Sequence, residues 1–270
     1  MTEPEAGFET LEANAARWLA AVDVRRSRRS YDSRPVTTQD LDALDTLARA
    51  FRPWPAVRVE VLRDAPASVF LGIIGAYGGI SGATSALAFV GPHEGGHEQV
   101  GYVGEALVLE ATARGLNTCW VGGLFGSAPV TRLLNLSDAE RVFAVSPVGY
   151  ACTTPTRKER IIFGAGRPKH RRPLSMIAPG YEDWPAWAQR AAQAVRVAPS
   201  AMNREPWRLR LEHGALVISI DGVGTPRISR RLDCGIAMLH AELGARGEGT
   251  TGRWELLASP EVARFVPSDS

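Results

Sequence analysis

The chain contains an approximate internal repeat, in which two segments follow the same order of sequence features. Residues 51–59 read FRPWPAVRV and residues 204–211 read REPWRLRL, so a Pro-Trp pair precedes alternating apolar residues in both. Two strongly apolar segments also end alike, because residues 113–115 and 245–247 both read ARG. Repetition on this scale predicts a duplicated structural unit whose two copies have diverged.

Apolar periodicity predicts an α+β fold in which a sheet is wrapped by helices. Helices are predicted at residues 9–24, 37–50, 69–77, 101–114, 184–197 and 233–246. Strands are predicted at residues 57–62, 86–90, 142–150, 208–212 and 215–220. With a long basic connection at 150–182, we predict one compact unit made of an N-terminal half, 1–178, and a C-terminal half, 179–270.

The composition excludes several classes of protein. Of the 270 residues 45% are hydrophobic and 22% are charged, as in an ordinary globular protein, and the net charge of +2 provides no general attraction for nucleic acid. The longest mostly apolar stretch, 69–80, is too short and too rich in glycine to span a membrane. An acidic start without a signal peptide and three widely spaced cysteines predict a cytoplasmic protein.

Residues 198–207, called here the Pro-Ser segment, interrupt the pattern between a predicted helix and a predicted strand. They read APSAMNREPW, and the prolines and Asn203 favour a sharp exit from the helix. The segment would present a hydroxyl, an amide and irregular backbone at a helix end, which is one way to hold a polar ligand. The local pattern by itself favours an ordinary helix-to-strand turn.

Basic residues form two clusters. Residues 25–29 read RRSRR and are called here the Arg-Ser motif; its four guanidinium groups repel one another unless water or an anion screens them. Arginine matches phosphate oxygens and Ser27 adds a hydroxyl, so the motif indicates either a phosphate site or a solvated helix end. Residues 157–172 hold seven basic residues, but with Phe163 as their one aromatic residue they do not favour nucleic-acid binding.

Two glycine-containing segments require separate interpretations. Residues 115–125, called here the Gly-Gly segment, read GLNTCWVGGLF, and their adjacent glycines would let the backbone lie flat against a ligand ring or simply form a turn. Residues 93–97 spell the H-E-x-x-H pattern of zinc proteases. That motif requires a helix, and the Gly95-Gly96 pair predicts a loop, so no metal site is predicted.

Together these segments resemble the FMN-dependent nitroreductase family, in particular its branch in which one chain contains both halves of the usual homodimer. The Arg-Ser motif is similar to the family's Arg-x-Ser-x-Arg/Lys motif, and the Gly-Gly segment to its Gly-Leu-Gly-Thr-Cys-Trp-x-Gly-Gly segment. The Pro-Ser segment is similar to Pro-Ser-x-x-Asn-x-Gln-Pro-Trp, which ordinary members receive from the second subunit. Residues 169–174 (KHRRPL) resemble a basic pair before Pro-Leu that also reaches the FMN. The resemblance covers residues 10–255 and implies an intramolecular pseudo-dimer.

The resemblance implies a role for each matching position around one FMN. At the phosphate, the ribityl chain and the pyrimidine edge the implied residues are Arg25, Arg26, Ser27, Arg29, Lys169 and Arg171. On the two sides of the flavin ring they are Trp120, Val121, Gly122, Gly123, Pro199, Ser200, Ala201 and Asn203. A backbone N–H around Gly122 would face flavin N5.

The resemblance further implies an oxidoreductase that uses NAD(P)H to reduce a nitroaromatic, a quinone or a similar small-molecule acceptor in two steps. The flavin would carry the chemistry, without an essential catalytic side chain. The alternative is a non-catalytic flavin-binding protein that sequesters or senses the cofactor. Neither nucleic acid nor a membrane is an expected partner, and the internal pseudo-dimer implies a monomer.

The sequence departs from the family pattern at two places. Glu205 stands where glutamine is usual, which adds a negative charge near an anionic cofactor unless Arg204 or Arg208 pairs with it. The first copy, at residues 51–54, lacks the Pro-Ser-x-x-Asn part. We therefore expect one flavin site per chain.

Overall fold

The computed structural model describes residues 3–70, 79–122, 125, 127–153, 171–222, 224 and 228–268. The predicted site residues Gly123 and Lys169 lie outside these ranges. So does most of the predicted helix at 69–77, whose described start belongs to a 3-10 turn, Ala67–Phe70. Within the described residues no helix has both the length and the apolar character that crossing a membrane requires.

The two halves contain comparable series of helices and strands. In the first half these are α1 (Glu3–Val24), α2 (Thr38–Ala50), β1 (Arg58–Leu62), β2 (Ser85–Pro92), α3 (His97–Ala113), β3 (Asn117–Thr118), β4 (Val121–Gly122), α4 (Ser127–Leu133) and β5 (Glu140–Gly149). A short helix α5 (Leu174–Ile177) ends the first half, and the second half contains α6 (Ala186–Arg196), β6 (Trp207–Glu212), β7 (Ala215–Ile220), α7 (Arg230–Gly247), β8 (Gly252–Leu256) and β9 (Glu261–Pro267). The sequence did not predict β3, β4, β8 or β9.

Each half forms its own antiparallel sheet, and the two sheets have the same strand order. The first runs β1-β2-β5-β3, with β4 also paired to β5, and the second runs β6-β7-β9-β8. In both halves the second and third strands of this order are separated in sequence by one long buried helix, α3 or α7. The α+β class with two diverged halves is therefore confirmed.

A matching β-bulge fixes which residues of the two sheets are equivalent. In β2 the register against β5 shifts after Phe89, and in β7 the register against β9 shifts after Ile218. Phe89 pairs with Val59 on β1, and Ile218 pairs with Leu209 on β6. Val59 and Leu209 are therefore structural counterparts.

This register corrects the repeat as the sequence suggested it. Counting back two residues from each counterpart, Trp207 is equivalent to Val57, so the match of Trp207 with Trp54 is out of register. Val57 and Trp207 are both fully buried next to the sheet, whereas Trp54 lies in the turn before β1 and is only partly buried. The strand register therefore decides the equivalence, burial agrees with it, and the shared Pro-Trp letters do not.

The central helices α3 and α7 cross with their backbones in contact. A Cβ on Gly101 would collide with the carbonyl oxygen of Leu232, and a Cβ on Gly235 would collide with that of Glu98. The two collisions are reciprocal, so Gly101 and Gly235 are counterparts in a local two-fold arrangement. Gly115 and Gly249 are separated by the same number of residues as Gly101 and Gly235, and each follows its central helix with a positive φ. Gly249, and not Gly247 as predicted, is therefore the counterpart of Gly115.

The two N-terminal helices, α1 and α2, pack against the rest of the first half. Thr37 caps α2 as predicted, because its Oγ1 accepts a hydrogen bond of 3.1 Å from the backbone nitrogen of Asp40. Helix α1 packs on both α3 and α7, and its fully buried Trp18 donates through Nε1 to Glu110 at 3.0 Å. One continuous core therefore joins the two halves.

The carboxylate of Glu140 on β5 accepts several hydrogen bonds and links this strand to β1. Arg58 donates to Glu140 through Nε at 2.8 Å and Nη2 at 3.3 Å, and Ser137 donates through its backbone nitrogen and hydroxyl. These bonds, led by those from Arg58, lower the pKa of Glu140 to about 2 against the opposing effect of burial. Glu140 thus stabilises the fold above the pKa of a free carboxyl and loses that contribution as the pH falls towards 2.

Glu140→Gln is expected to reduce the free energy of unfolding at pH 7 by about 1–3 kcal/mol, because the amide cannot keep the charge-assisted bonds. Between pH 4.5 and 2 the variant should lose less stability than the parent, as measured by urea unfolding at several pH values. The control is Glu212→Gln. Glu212 and its partner Arg210 are about equally exposed, so this substitution should change the free energy of unfolding little. An identical acid dependence in parent and Glu140→Gln would contradict the assignment.

Candidate functional site

The Arg-Ser motif is extended, and it joins the edge of the first sheet. After α1 ends at Val24, Ser27 forms a parallel bridge with Thr118 of β3, and the backbone nitrogen of Arg28 donates to the Thr118 carbonyl at 2.9 Å. The sequence had allowed a helix end or a turn here. The pairing places the Arg-Ser motif beside the start of the Gly-Gly segment.

Arg25 is the buried member of the motif, with 6% of its side chain exposed. Its Nη1 lies 3.3 Å from Ser27 Oγ, while its Nε has no hydrogen-bond partner among the described residues and lies 3.9 Å from Glu105 Oε1. Burial lowers the pKa of Arg25, the charges of Glu105 and Cys119 act in the opposite direction, and Arg26 adds to the lowering. The site therefore contains a buried cation with an unused donor.

The other arginines of the motif have different surroundings. Arg26 is exposed and donates through Nη1 to the carbonyl oxygens of Asp23 and Arg25. Arg28 donates through Nη2 to the Cys152 carbonyl at 2.6 Å. Arg29 is half-buried, and its carbonyl accepts from the backbone nitrogen of Ser81. The structure thus distinguishes four arginines that are equivalent in the sequence pattern.

Arg171 connects the basic cluster to the Pro-Ser segment. Its Nη1 donates to the carbonyl oxygen of Ala198 at 2.7 Å and its Nη2 to that of Val197 at 3.1 Å, so it caps the carboxyl end of α6. Burial lowers the pKa of Arg171, Glu205 opposes this, and the charges of Arg25 and Arg26 lower it further. The charges of Arg171 and the Arg-Ser motif therefore interact across the site.

Glu205 is not neutralised as the sequence suggested. It is buried, lies 3.7 Å from Arg171, and accepts a hydrogen bond of 3.0 Å from the backbone nitrogen of Arg172. Arg204 instead pairs with Asp233 and Arg208 with Asp221, each at 2.9 Å. The compensating pair that the sequence left open is therefore made by neither Arg204 nor Arg208. The nearest cation to Glu205 is Arg171, from a distant part of the chain.

Side chains hold the Pro-Ser segment in a fixed shape. Ser200 Oγ accepts from the backbone nitrogen of Glu205 at 2.9 Å, and Asp233 accepts from the backbone nitrogen of Ala201 at 3.1 Å and from Arg204 Nε at 3.0 Å. Burial raises the pKa of Asp233 to about 6, although Arg204 and the Ala201 N–H oppose it. The segment is thus anchored on the first turn of α7.

The backbone of this segment is strained. Met202, Asn203 and Glu205 have positive φ values of 56°, 52° and 49°, and Met202 is 53% exposed. Such conformations cost about 1–3 kcal/mol each and persist where surrounding contacts impose them, often at functional sites. The predicted helix-to-strand turn is present, but its geometry is more constrained than a simple turn requires.

The Gly-Gly segment approaches the Pro-Ser segment at Gly122. A Cβ on Gly122 would lie 3.8 Å from Ile228 Cγ2, with no closer atom among the described residues, so packing within the described chain does not require glycine there. The carbonyl of Ile228 accepts from Arg204 Nη2 at 3.2 Å. A Cβ on Gly122 would therefore touch a residue that is itself bound to the Pro-Ser segment.

The side chains of Trp120 and Val121 belong to the interior. Val121 is buried, and the Trp120 ring stacks on Phe89 with centroids 4.2 Å apart. The indole Nε1 of Trp120 donates to Glu105 at 2.7 Å. These two positions therefore offer a ligand mainly their backbone.

The structure brings the described candidate residues of the three motifs into one region. The bridge at Ser27 joins the Arg-Ser motif to the Gly-Gly segment, and Ile228 joins the Gly-Gly segment to the Pro-Ser segment. Arg171 contacts the Pro-Ser segment, and its charge interacts with those of Arg25 and Arg26. Sequence reasoning did not single out Glu105, His240 or Asp233. A charged residue inside a strongly apolar helix was the available signal for Glu105.

The H-E-x-x-H pattern spans a turn and a helix start. Gly95 and Gly96 have positive φ, and His97 opens α3 with its ring 5.0 Å from that of Phe143. The two imidazoles therefore do not share one helix face, which the zinc motif requires. Within the described ranges no group of three or more His, Cys, Asp or Glu side chains could hold a metal ion.

Comparison with known families decides the classification. Residues 18–245 match the sequence model of the family described as "Putative TM nitroreductase". The chain belongs to this nitroreductase family. A comparison with curated proteins found no match.

One solved structure shares the fold over most of its length, and others are similar to part of the chain. A putative nitroreductase from Thermotoga maritima is 21% identical with a TM-score of 0.62, and 92% of each chain is covered. An FMN-dependent nitroreductase from Clostridium difficile is 18% identical with a TM-score of 0.40, covering 50% of this chain and 88% of the other. A nitroreductase family protein from the same species is 23% identical with a TM-score of 0.42, covering 60% and 95%.

The two copies of the nitroreductase unit differ at the open position. Gly122 pairs with Ala144 in the first sheet, and Leu256 pairs with Ala263 at the corresponding place in the second. Trp120 and Trp254, two residues earlier, each donate an indole hydrogen to a buried glutamate. Leu256 is therefore the counterpart of Gly122, so an exposed leucine stands where the first copy has a glycine.

Proposed function

We propose that the protein is an FMN-dependent oxidoreductase that uses NAD(P)H to reduce a nitroaromatic, a quinone or a similar small acceptor. The observation that carries the proposal is the convergence of three distant motifs on one site. That site combines a buried arginine with an unused donor and an open glycine backbone. Membership of the nitroreductase family supports the same reaction class.

The residues present suit an FMN molecule at both of its ends. A phosphate needs charge-assisted donors, and Arg25 Nε is buried without a partner among the described residues. The buried hydroxyl of Thr118, beside Ser27, is likewise without a partner there. A flat ring needs backbone without a Cβ in its plane, which Gly122 supplies.

The chain's own residues would bind and orient the cofactor. Arg25, Ser27 and Arg29 would hold the phosphate and ribityl chain, with Arg26 adjoining. The N–H of Gly122 would face the ring from one side, and Pro199, Ser200, Ala201 and Asn203 would cover the other. Lys169 and Gly123, outside the described residues, keep the roles that the family pattern implies.

Arg171 would act at the site mainly through its charge. Its two Nη groups donate to carbonyl oxygens of the chain, so its field, rather than a direct bond, would favour an anionic cofactor. Bound FMN would supply the electron-transfer chemistry, taking electrons from NAD(P)H and passing them to the acceptor in two steps. We also propose a cytoplasmic monomer whose second half completes this single site.

Absorbance spectroscopy of the purified protein tests the proposal. We expect the protein to be yellow or to take up FMN, with one flavin per chain, because the Arg-Ser motif and the Pro-Ser segment each occur once in the chain. NAD(P)H should bleach the bound flavin, and a nitroaromatic or a quinone should restore its colour. A stoichiometry near two would contradict the single site. Bound flavin that NAD(P)H does not reduce would indicate a sequestering or sensing protein instead.

A further inference from the structure

A buried network joins the two central helices behind the Arg-Ser motif. Glu105 on α3 and His240 on α7 are both fully buried, and His240 Nε2 lies 3.0 Å from Glu105 Oε1. Trp120 donates to the other carboxyl oxygen at 2.7 Å, and His240 Nδ1 lies 3.1 Å from the carbonyl oxygen of Ala194. Arg25 Nε is 3.9 Å from Glu105 Oε1, which is beyond hydrogen-bond range.

The geometry determines how many protons the pair holds. A carbonyl oxygen only accepts, so Nδ1 of His240 carries a hydrogen and donates to Ala194. A proton must then also lie between Nε2 and Glu105 Oε1, because a bare ring nitrogen facing a carboxylate would be repelled. The pair carries no net charge, whichever atom holds that proton. Glu105 therefore does not neutralise the charge of Arg25.

A second buried glutamate lacks an imidazole partner. It is not the counterpart of Glu105, because the register set by Gly101 and Gly235 makes Leu239 that counterpart. Glu242 is buried on α7 and accepts from Trp254, the counterpart of Trp120, at 2.8 Å and from Tyr102 at 2.7 Å. Its other oxygen accepts from Nε and Nη2 of Arg246, both at 3.2 Å. A buried glutamate in this setting thus binds an arginine when no histidine occupies the second oxygen.

We propose that His240 is a positioning residue that keeps Arg25 available for the FMN phosphate. By sharing a proton with Glu105, it occupies the oxygen that Arg25 would otherwise bind and removes the negative charge that would attract it. This inference rests on the proposed function, since FMN is the ligand that Arg25 would receive. His240 itself touches neither the cofactor nor the substrate in this assignment.

A double-mutant cycle tests this role through binding rather than turnover. In His240→Gln the neutral amide brings no extra proton, so Glu105 keeps its charge and draws in Arg25. We expect the dissociation constant for FMN, measured by flavin fluorescence, to rise about tenfold, with that for riboflavin almost unchanged. Glu105→Gln should keep FMN affinity within about twofold, and the double variant should regain most of the affinity lost in His240→Gln.

A purely structural role for the pair gives a different pattern. The double variant would then bind FMN no better than His240→Gln, or both flavins would weaken equally, and either result would overturn the proposal. Tyr102→Phe is the matched control, because it removes one donor from the Glu242 network of the second copy. It should leave the ratio of FMN to riboflavin affinity unchanged even if it lowers the Tm.

Nitrogen-15 NMR of the flavin-free parent protein tests, without any variant, the Nδ1-protonated form of His240 from which the shared proton is inferred. His240 should show a hydrogen on Nδ1 at neutral pH, and an Nδ1 without hydrogen would overturn the proposal. If His240→Gln does not fold, this spectrum and the FMN affinity of Glu105→Gln decide the question, since a tenfold loss in Glu105→Gln would also contradict it. Absence of FMN binding by the parent would refute the proposed function, while the NMR result reports on the proton alone.

Discussion

Replacing Gly122 by leucine is expected to abolish flavin binding while the protein still folds. A Cβ at this position would lie 3.8 Å from Ile228 Cγ2, which is ordinary van der Waals contact, so the chain itself tolerates a side chain. The leucine would instead fill the space proposed for the flavin ring. We expect an increase of about 100-fold or more in the FMN dissociation constant, from titration monitored by flavin fluorescence.

The matched variants separate this steric effect from a general loss of structure. Gly122→Ala adds one methyl group and should give a smaller loss of affinity than leucine. Leu256→Ala changes the equivalent position of the second copy and should leave FMN affinity and stoichiometry unchanged. If Gly122→Leu binds FMN normally and retains its Tm, the flavin ring does not lie over Gly122.

Arg25→Ala is expected to weaken FMN far more than riboflavin. Each charge-assisted hydrogen bond to phosphate contributes about 1.5–3 kcal/mol, so the loss should be roughly 10- to 150-fold for FMN. Riboflavin lacks the phosphate and should bind almost as before. Parallel titrations of the two flavins measure the difference, and Arg29→Ala should change it in the same direction.

Arg28→Ala is the control within the same motif. Arg28 donates to the Cys152 carbonyl, and its removal should alter stability more than the ratio of FMN to riboflavin affinity. An equal loss of both flavins in Arg25→Ala would place Arg25 away from the phosphate. Because Arg26 is exposed, Arg26→Ala should reduce FMN affinity less than Arg25→Ala does.

Local sequence patterns predicted the regular elements well where one physical cause dominates. Thr37 has the hydroxyl that caps α2, and the apolar runs of α3 and α7 are buried because both sides of each helix are covered. Strands β8 and β9 were missed because their residues alternate less clearly and because they form through pairing, β9 with β7 and β8 with β9. The HEGGH segment was predicted to be a loop, which holds for residues 93–96, where both glycines adopt positive φ, whereas His97 begins α3.

The sequence by itself determined the class of fold, the duplication and the three motifs, because helix periodicity, strand alternation and glycine or proline placement act over a few residues. Only the tertiary structure decided the true register of the repeat, the separate surroundings of the four arginines, and the pairing of Glu205 with Arg171. It alone placed Glu105 against His240, residues on two helices far apart in sequence. Partners of buried charges are chosen by the distances and desolvation that packing creates, and a linear pattern of residue types contains neither quantity.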